Sequence, residues 1–66
     1  MLSAHNPLRQ TARDVPLEKA RGWLDAVLSD VELAERDRDP QAPAMRRWAI
    51  EAVCIVADRK TAQEGF

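Results

Sequence analysis

The sequence predicts an all-α protein, and three observations support that fold class. Apolar residues recur with a seven-residue period between residues 17 and 36. The stretch from residue 43 to 62 is apolar around most of a helical circumference. Four prolines divide the 66-residue chain into segments of helical length. We therefore expect an antiparallel helical hairpin, formed by residues of about 16–37 and 43–62, that dimerises into a four-helix bundle.

The first 14 residues are predicted to be an N-terminal arm or a short helix. Asn6 and Pro7 are typical of an N-cap and a first helical position, which places a short helix over residues 8–13. Leu8 is the only large apolar residue of that segment, so the helix would be weak alone. The domain organisation that follows is an arm at 1–14, a hairpin at 15–63 and a tail at 64–66.

The first long helix is predicted from two sets of apolar residues in heptad positions. Gly22 is its weak point, since glycine in a helix interior costs about 1 kcal/mol relative to alanine. Trp23 lies on the edge of the apolar stripe, where it would pack within the chain or anchor an interface. The heptad positions are occupied by Leu17, Leu24 and Val31 in one set, and by Ala20, Val27 and Ala34 in the other.

A short connection separates the two long helices. Asp39 precedes Pro40 and is therefore disfavoured in a helical conformation. Ala42 and Pro43 begin the second helix, because proline is tolerated in a first helical turn. A break of about five residues favours two helices that lie side by side.

The second long helix carries more apolar surface than one neighbouring helix can cover. One stripe contains Met45, Trp48, Ala49, Ala52, Ile55 and Val56, and an adjoining stripe contains Ile50, Val53, Cys54 and Ala57. At 100° per residue the apolar arc spans roughly 260°, and a helix of this kind is surrounded by protein. The adjoining stripe therefore requires a second surface.

A homodimer supplies that surface most simply, because a 66-residue chain without a disulfide or metal site usually needs a partner to complete its core. The predicted self-association interface consists of Ile50, Val53, Cys54, Ala57 and Trp23. Two alternatives remain open. A different protein could cover the stripe, or the arm at residues 1–13 could fold over it.

No catalytic, cofactor-binding or metal-binding residue is predicted, and neither is a small-molecule substrate. His5 is expected to be an exposed arm residue without a nucleophile near it, and Cys54 to be a small, inert core residue. Glu51 is expected to pair with Arg47 on the solvent side of the helix. Neither a CxxC nor an HxxxH spacing occurs. The chain is therefore predicted not to be an enzyme, and the remaining catalytic alternative is a site formed between subunits.

The predicted function is a small protein–protein interaction or regulatory module. The alternative is a nucleic-acid-binding regulator, in which Arg46 and Arg47 contact phosphates beside Trp48. The formal net charge of −1 disfavours that alternative. The longest apolar run covers residues 52–57, far short of the roughly 20 residues of a membrane span. Without a signal-peptide pattern at the N-terminus, a cytoplasmic location is expected.

Overall fold

The computed structural model describes residues 6–64 of the chain. Within this range the protein forms three helices and no strand: α1 at Arg9–Asp14, α2 at Leu17–Arg36 and α3 at Ala42–Glu64. The all-α prediction is thus confirmed for these residues. Both long helices lie close to their predicted bounds, and α3 continues two residues beyond the predicted end at residue 62.

The short N-terminal helix exists, but its beginning was predicted wrongly. Leu8 occupies the N-cap position of α1, whereas Asn6 was expected there. Asn6 instead forms a turn that begins two residues before this N-cap, in which its side-chain Oδ1 accepts a hydrogen bond from the backbone N–H of Leu8 at 2.8 Å. Asparagine favours such turns because its side chain mimics a backbone carbonyl.

The connection between α2 and α3 spans residues 37–41. Arg38 adopts a φ of 57°, in the left-handed region. The N–H of Asp39 donates to the carbonyl of Ala34 at 2.9 Å, and the N–H of Arg38 donates to the carbonyl of Glu35 at 3.1 Å. These two bonds form a Schellman motif, which terminates α2 with an arginine at the position that glycine usually takes.

The backbone N–H groups at the start of α3 also have hydrogen-bond acceptors nearby in the sequence. The side-chain Oδ1 of Asp39 accepts from the N–H of Gln41 at 2.8 Å, and the carbonyl of Asp39 accepts from the N–H of Ala42 at 2.9 Å. α3 begins at Ala42, so Pro43 lies in the first turn of the helix, as the sequence predicted. Both ends of the connection therefore have hydrogen-bond partners, as a turn between two packed helices requires.

The core is built mainly from alanine. Its central cluster contains Ala12, Ala20, Ala52 and Val56, which are 0%, 2%, 0% and 9% exposed. Larger side chains surround this cluster and are only partly buried: Leu8, Val15, Leu17, Trp23, Leu24 and Ile55. Small residues at the centre allow helix backbones to approach closely, so α3 packs against both α1 and α2.

The arm packs on a different side of α3 from the one considered in the sequence. Ala12 of α1 lies in the cluster with Ala52 and Val56, while Ile50 remains 55% exposed. The alternative in which the arm covers the stripe containing Ile50 is therefore wrong for residues 6–13. The arm has this position because its small residue, Ala12, faces a small residue of α3.

Candidate interaction surfaces

The outer face of α3 is an uncovered apolar strip. Ile50 is 55% exposed and Val53 is 39% exposed, and Cys54 and Ala57 are exposed as well. These four residues occupy positions i, i+3, i+4 and i+7, the spacing of a helix face that packs against another helix. We call these four residues the outer face.

A groove between α2 and α3 adjoins the outer face. Its volume is about 900 Å³, and apolar side chains of both helices line it: Leu17, Ala20, Leu24, Leu28, Val53 and Val56. Val53 belongs to both the groove and the outer face, so the two form one continuous apolar region. Leu28, on the α2 wall, is 42% exposed and extends the region further.

Charges of both signs line the same groove. The acidic side chains are Glu18, Asp25 and Glu64, and the basic ones are Arg21 and Lys60. An apolar centre with a polar rim is the usual anatomy of a protein–protein interface.

Cys54 was predicted to be a small core residue on the stripe that needs a second surface; in the single chain that stripe is uncovered, and burial of Cys54 in an assembly stays a prediction. The side chain is exposed and forms no disulfide. Its four-residue neighbourhood, Val53 to Val56, is apolar in sequence, but only Val56 of these residues is buried. An apolar run on a helix distributes its side chains around the whole circumference, so the run alone does not bury every member.

Trp23 is separated from the other four predicted interface residues. It is half-buried against the alanine cluster. Trp23 is not among the residues that line the groove, although Ala20 and Leu24 on the same helix are. The structure thus brings Ile50, Val53, Cys54 and Ala57 together on one face of α3, whereas Trp23 packs from α2 against the alanine cluster.

A polar cluster attaches the arm to α3. Arg9 donates from Nε to Oε2 of Glu51 at 2.6 Å and from Nη2 to Oε1 at 3.1 Å. Asn6, which is 5% exposed, donates from Nδ2 to Oε1 of Glu51 at 3.1 Å and to the carbonyl of Trp48 at 3.2 Å. The predicted pairing of Glu51 with Arg47 is therefore wrong, because the carboxylate is engaged by the arm.

These contacts lower the pKa of Glu51. The hydrogen bonds from Arg9 and then from Asn6 favour the carboxylate, so they lower the pKa of Glu51 below its ordinary value. The hydrogen bond with Glu51 in turn raises the pKa of Arg9. Sequence reasoning missed this cluster because its members lie 42 to 45 positions apart. The one available signal was Glu51 itself, an acid that interrupts an apolar run.

A second contact holds the other end of α1. Arg59 of α3 donates from Nη1 to the carbonyl of Ala12 at 2.7 Å. This carbonyl belongs to the last turn of α1, where carbonyls lack helical partners. Residues 6–14 are thus attached to α3 at two points, through Glu51 at Arg9 and through Arg59 at Ala12.

A small cleft remains beside the beginning of the arm. Its volume is about 230 Å³. Pro7 and Leu8 of the arm form one side, and Val27, Val31, Met45 and Trp48 line much of the rest, together with Asp30 and Gln41. The cleft shows that the arm does not fill all of the apolar space between itself and the long helices.

The arginines considered for nucleic-acid contact lie in the second turn of α3. Arg46 pairs with Glu35 of α2 at 3.0 Å through Nη1, although its side chain is 65% exposed. Arg47 is exposed, and Trp48 is half-buried. The charge of Arg46 is therefore partly neutralised by α2, and the nucleic-acid alternative stays a prediction.

Nothing in residues 6–64 groups three or more metal-ligating side chains. Over the same residues, no helix combines the length and hydrophobicity needed to cross a membrane. His5 lies outside the described residues. The described part of the chain exposes apolar surface with charged residues around it.

No protein-family model matches the sequence, and no curated protein or solved structure is similar to it.

Proposed function

We propose that this chain is a small non-catalytic protein–protein interaction or regulatory module that acts as a homodimeric helical bundle. In this proposal α2 and α3 form an antiparallel hairpin, and two hairpins pair through their outer faces. The observation that carries the proposal is the exposure of Ile50 and Val53 on a helix face with packing periodicity.

The size of the side chains supports a contact between two copies of α3. Cys54 and Ala57 are small, so two outer faces can approach closely where these residues meet. Ile50 and Val53 supply the larger apolar groups, at the N-terminal end of the outer face. With α3 paired to its copy, the apolar arc of the helix would be covered by α1, α2 and the second protomer, as its hydrophobicity requires.

The charges around the groove support a second copy as the partner. A twofold interface places the same patch on both sides, so a patch of mixed sign can match itself. The groove carries three acidic and two basic side chains. A strongly single-signed rim would instead repel its own copy.

Light scattering over a dilution series tests the proposal. The wild-type chain is expected at twice its mass of 7.4 kDa. Ile50→Glu places a charge in the outer face and is expected to give the monomer mass. The matched control is Leu33→Glu, because Leu33 is 51% exposed and lies on α2 outside the groove. The control is expected to remain dimeric.

A folded wild-type monomer across the whole dilution series would overturn the proposal, as would a dimer that both variants retain. Circular dichroism shows whether Ile50→Glu stays helical, which separates loss of the dimer from loss of the fold. The side chain of Ile50 is already more than half exposed in the single chain, so the substitution is expected to leave the helices intact.

Cys54 provides an independent readout, because it is the only cysteine of the chain. A short bifunctional maleimide is expected to cross-link two copies through Cys54 when the outer faces pair. The cross-link is expected to disappear in Ile50→Glu and to persist in Leu33→Glu. In the cytoplasmic setting that we propose, the thiol would remain reduced and would not join the subunits itself.

A further inference from the structure

The outer face of α3 continues toward both ends of the helix as a strip of exposed residues. Steps of three or four residues lead from the outer face to Arg47 in one direction, and to Thr61 and Glu64 in the other. All three of these residues are exposed. Such alternating steps are typical of a helix that pairs lengthwise with another helix, so the paired length can reach about five turns.

The two ends of this strip carry opposite charges. Arg47 lies in the second turn of α3, and Glu64 is its last residue. Within residues 6–64, the side chains of Arg47 and Glu64 form no ion pair or hydrogen bond, whereas the neighbouring Arg46 pairs with α2. The strip therefore presents one unpaired charge of each sign, and the two charged residues are separated by about 25 Å along the helix.

We propose that the second copy lies antiparallel on this strip, with Arg47 of each chain paired with Glu64 of the other. The inference rests on the homodimer proposed above, and it assigns the direction and register of that dimer. Arg47 lies seven residues before Cys54, and Glu64 lies seven residues after Ala57. The same register therefore brings Cys54 of one copy opposite Ala57 of the other, next to the twofold axis, with an ion pair at each end.

The charges disfavour the other arrangements of two α3 helices. A parallel pair would place Arg47 beside its own copy at one end and Glu64 beside its own copy at the other. An antiparallel pair shifted by four residues would place Ile50 opposite Ala57, but it would also place Arg47 opposite Lys60. Like charges that meet across an interface repel, so the arrangement that pairs Arg47 with Glu64 is favoured.

The side of the strip that adjoins the groove fits the same register. Val53 and Lys60 both line the groove, and both are exposed. In the proposed register Val53 of one copy lies next to Lys60 of the other. The methylene stem of the lysine can cover the valine while its ammonium group stays in water.

Charge reversals at the two ends test the proposal in the full-length chain. Sedimentation equilibrium gives the dissociation constant of the dimer for the wild type, Arg47→Glu, Glu64→Arg and the double variant that exchanges the two charges. Lys19→Glu and Glu32→Arg are the matched controls, because they make the same charge changes at exposed positions of α2 outside the groove. Circular dichroism of each variant checks that its helices remain intact.

Each single reversal in α3 is expected to weaken dimerisation about tenfold, because it turns two attractions into two repulsions. The double variant is expected to regain the wild-type affinity, since the exchanged charges again have opposite signs across the interface. Both controls are expected to match the wild type. The weakening is expected to shrink at high salt, which screens exposed charges.

Cysteines at the two ends of the strip provide a readout that does not depend on affinity. In a Cys54→Ala background, Arg47→Cys is mixed with an affinity-tagged Glu64→Cys chain, and the mixture is oxidised in air. Antiparallel pairing is expected to form disulfides between unlike chains. Disulfides that join only like chains would overturn the pairing, because that result requires parallel helices.

Unchanged affinity of both single reversals, in a wild type that is dimeric, would overturn the antiparallel pairing and leave the homodimer intact. Tighter dimerisation of Arg47→Glu would also overturn it, because that result would make Lys60 of the second copy the neighbour of Arg47. A wild-type monomer at every concentration would overturn the homodimer together with the pairing that rests on it. The two proposals therefore fail in distinguishable ways.

Discussion

Arg9 and Glu51 lie 42 positions apart in the sequence and meet through two hydrogen bonds, at 2.6 and 3.1 Å. A guanidinium that contacts both oxygens of one carboxylate fixes orientation as well as distance. Asn6 adds a third donor to the same carboxylate. This cluster therefore determines where α1 begins its contact with α3.

Arg9→Ala is expected to increase hydrogen exchange at the backbone amides of α1. Two of these amides report the change directly: Ala12 donates to the carbonyl of Leu8, and Val15 donates to that of Thr11. A six-residue helix released from α3 is too short to keep these bonds protected. Amide exchange followed by NMR measures the effect, with α3 as an internal reference. Unchanged protection of both amides would show that the pair does not hold the arm.

The contribution of Glu51 to stability is expected to depend on pH. Its pKa is lowered in the folded chain, so its stabilising effect is complete above the ordinary value of 4.5 and is lost as the pH falls through the lowered value. Urea unfolding of the wild type and of Glu51→Gln at neutral pH and under acidic conditions measures this. The stability difference between them should shrink on acidification. A difference that is constant with pH would contradict the assigned partners.

Gly22→Ala is expected to stabilise the chain by about 1 kcal/mol, because glycine is unfavourable inside a helix. Gly22 is exposed within α2, and a Cβ placed on it meets nothing within 4 Å. Ala26→Gly is the matched control at another exposed position of α2, and it should destabilise by a similar amount. Thermal and urea unfolding measure both changes. Destabilisation by Gly22→Ala would mean that the position is covered in the assembled protein.

Arg38→Gly is expected to stabilise the chain by about 0.5–1 kcal/mol. Arg38 has a φ of 57°, a conformation that glycine adopts without steric cost. Arg36→Gly removes the same charge from the last residue of α2 and should instead destabilise by about 1 kcal/mol. Unfolding of both variants at one salt concentration separates the backbone effect from the charge effect. Equal changes in the two variants would assign the effect to charge.

Local sequence signals account for the two long helices. The heptad pattern places Ala20, Val31 and Ala34 on the buried side of α2, where the structure has them. Pro43 marks the first turn of α3, and Asp39 with Pro40 marks the break before it. Each of these signals acts within a few residues of its effect, which is why the sequence alone reveals it.

The features that the sequence did not reveal depend on contacts between distant segments. Glu51 has a suitable partner four residues away in Arg47, and the tertiary fold supplies Arg9 instead. Cys54 lies in an apolar run, yet its side chain is exposed because α1 and α2 cover other sides of α3. The apolar pattern indicated that one neighbouring helix leaves a stripe of α3 uncovered, but which side of α3 the short helix α1 occupies depends on contacts between distant segments.

The alanine core of this protein bears on its response to temperature. Among residues 6–64, no large side chain is fully buried, and Ala12, Ala20 and Ala52 form most of the central cluster. Unfolding a single chain would newly hydrate little apolar surface, so its heat-capacity change would be small and its stability would vary only gently between cold and heat. Unfolding of a dimer paired through its outer faces would also hydrate the apolar surface buried between the two copies, which would increase the heat-capacity change. Calorimetry at increasing protein concentration would then record a steeper dependence on temperature as the assembled form comes to dominate.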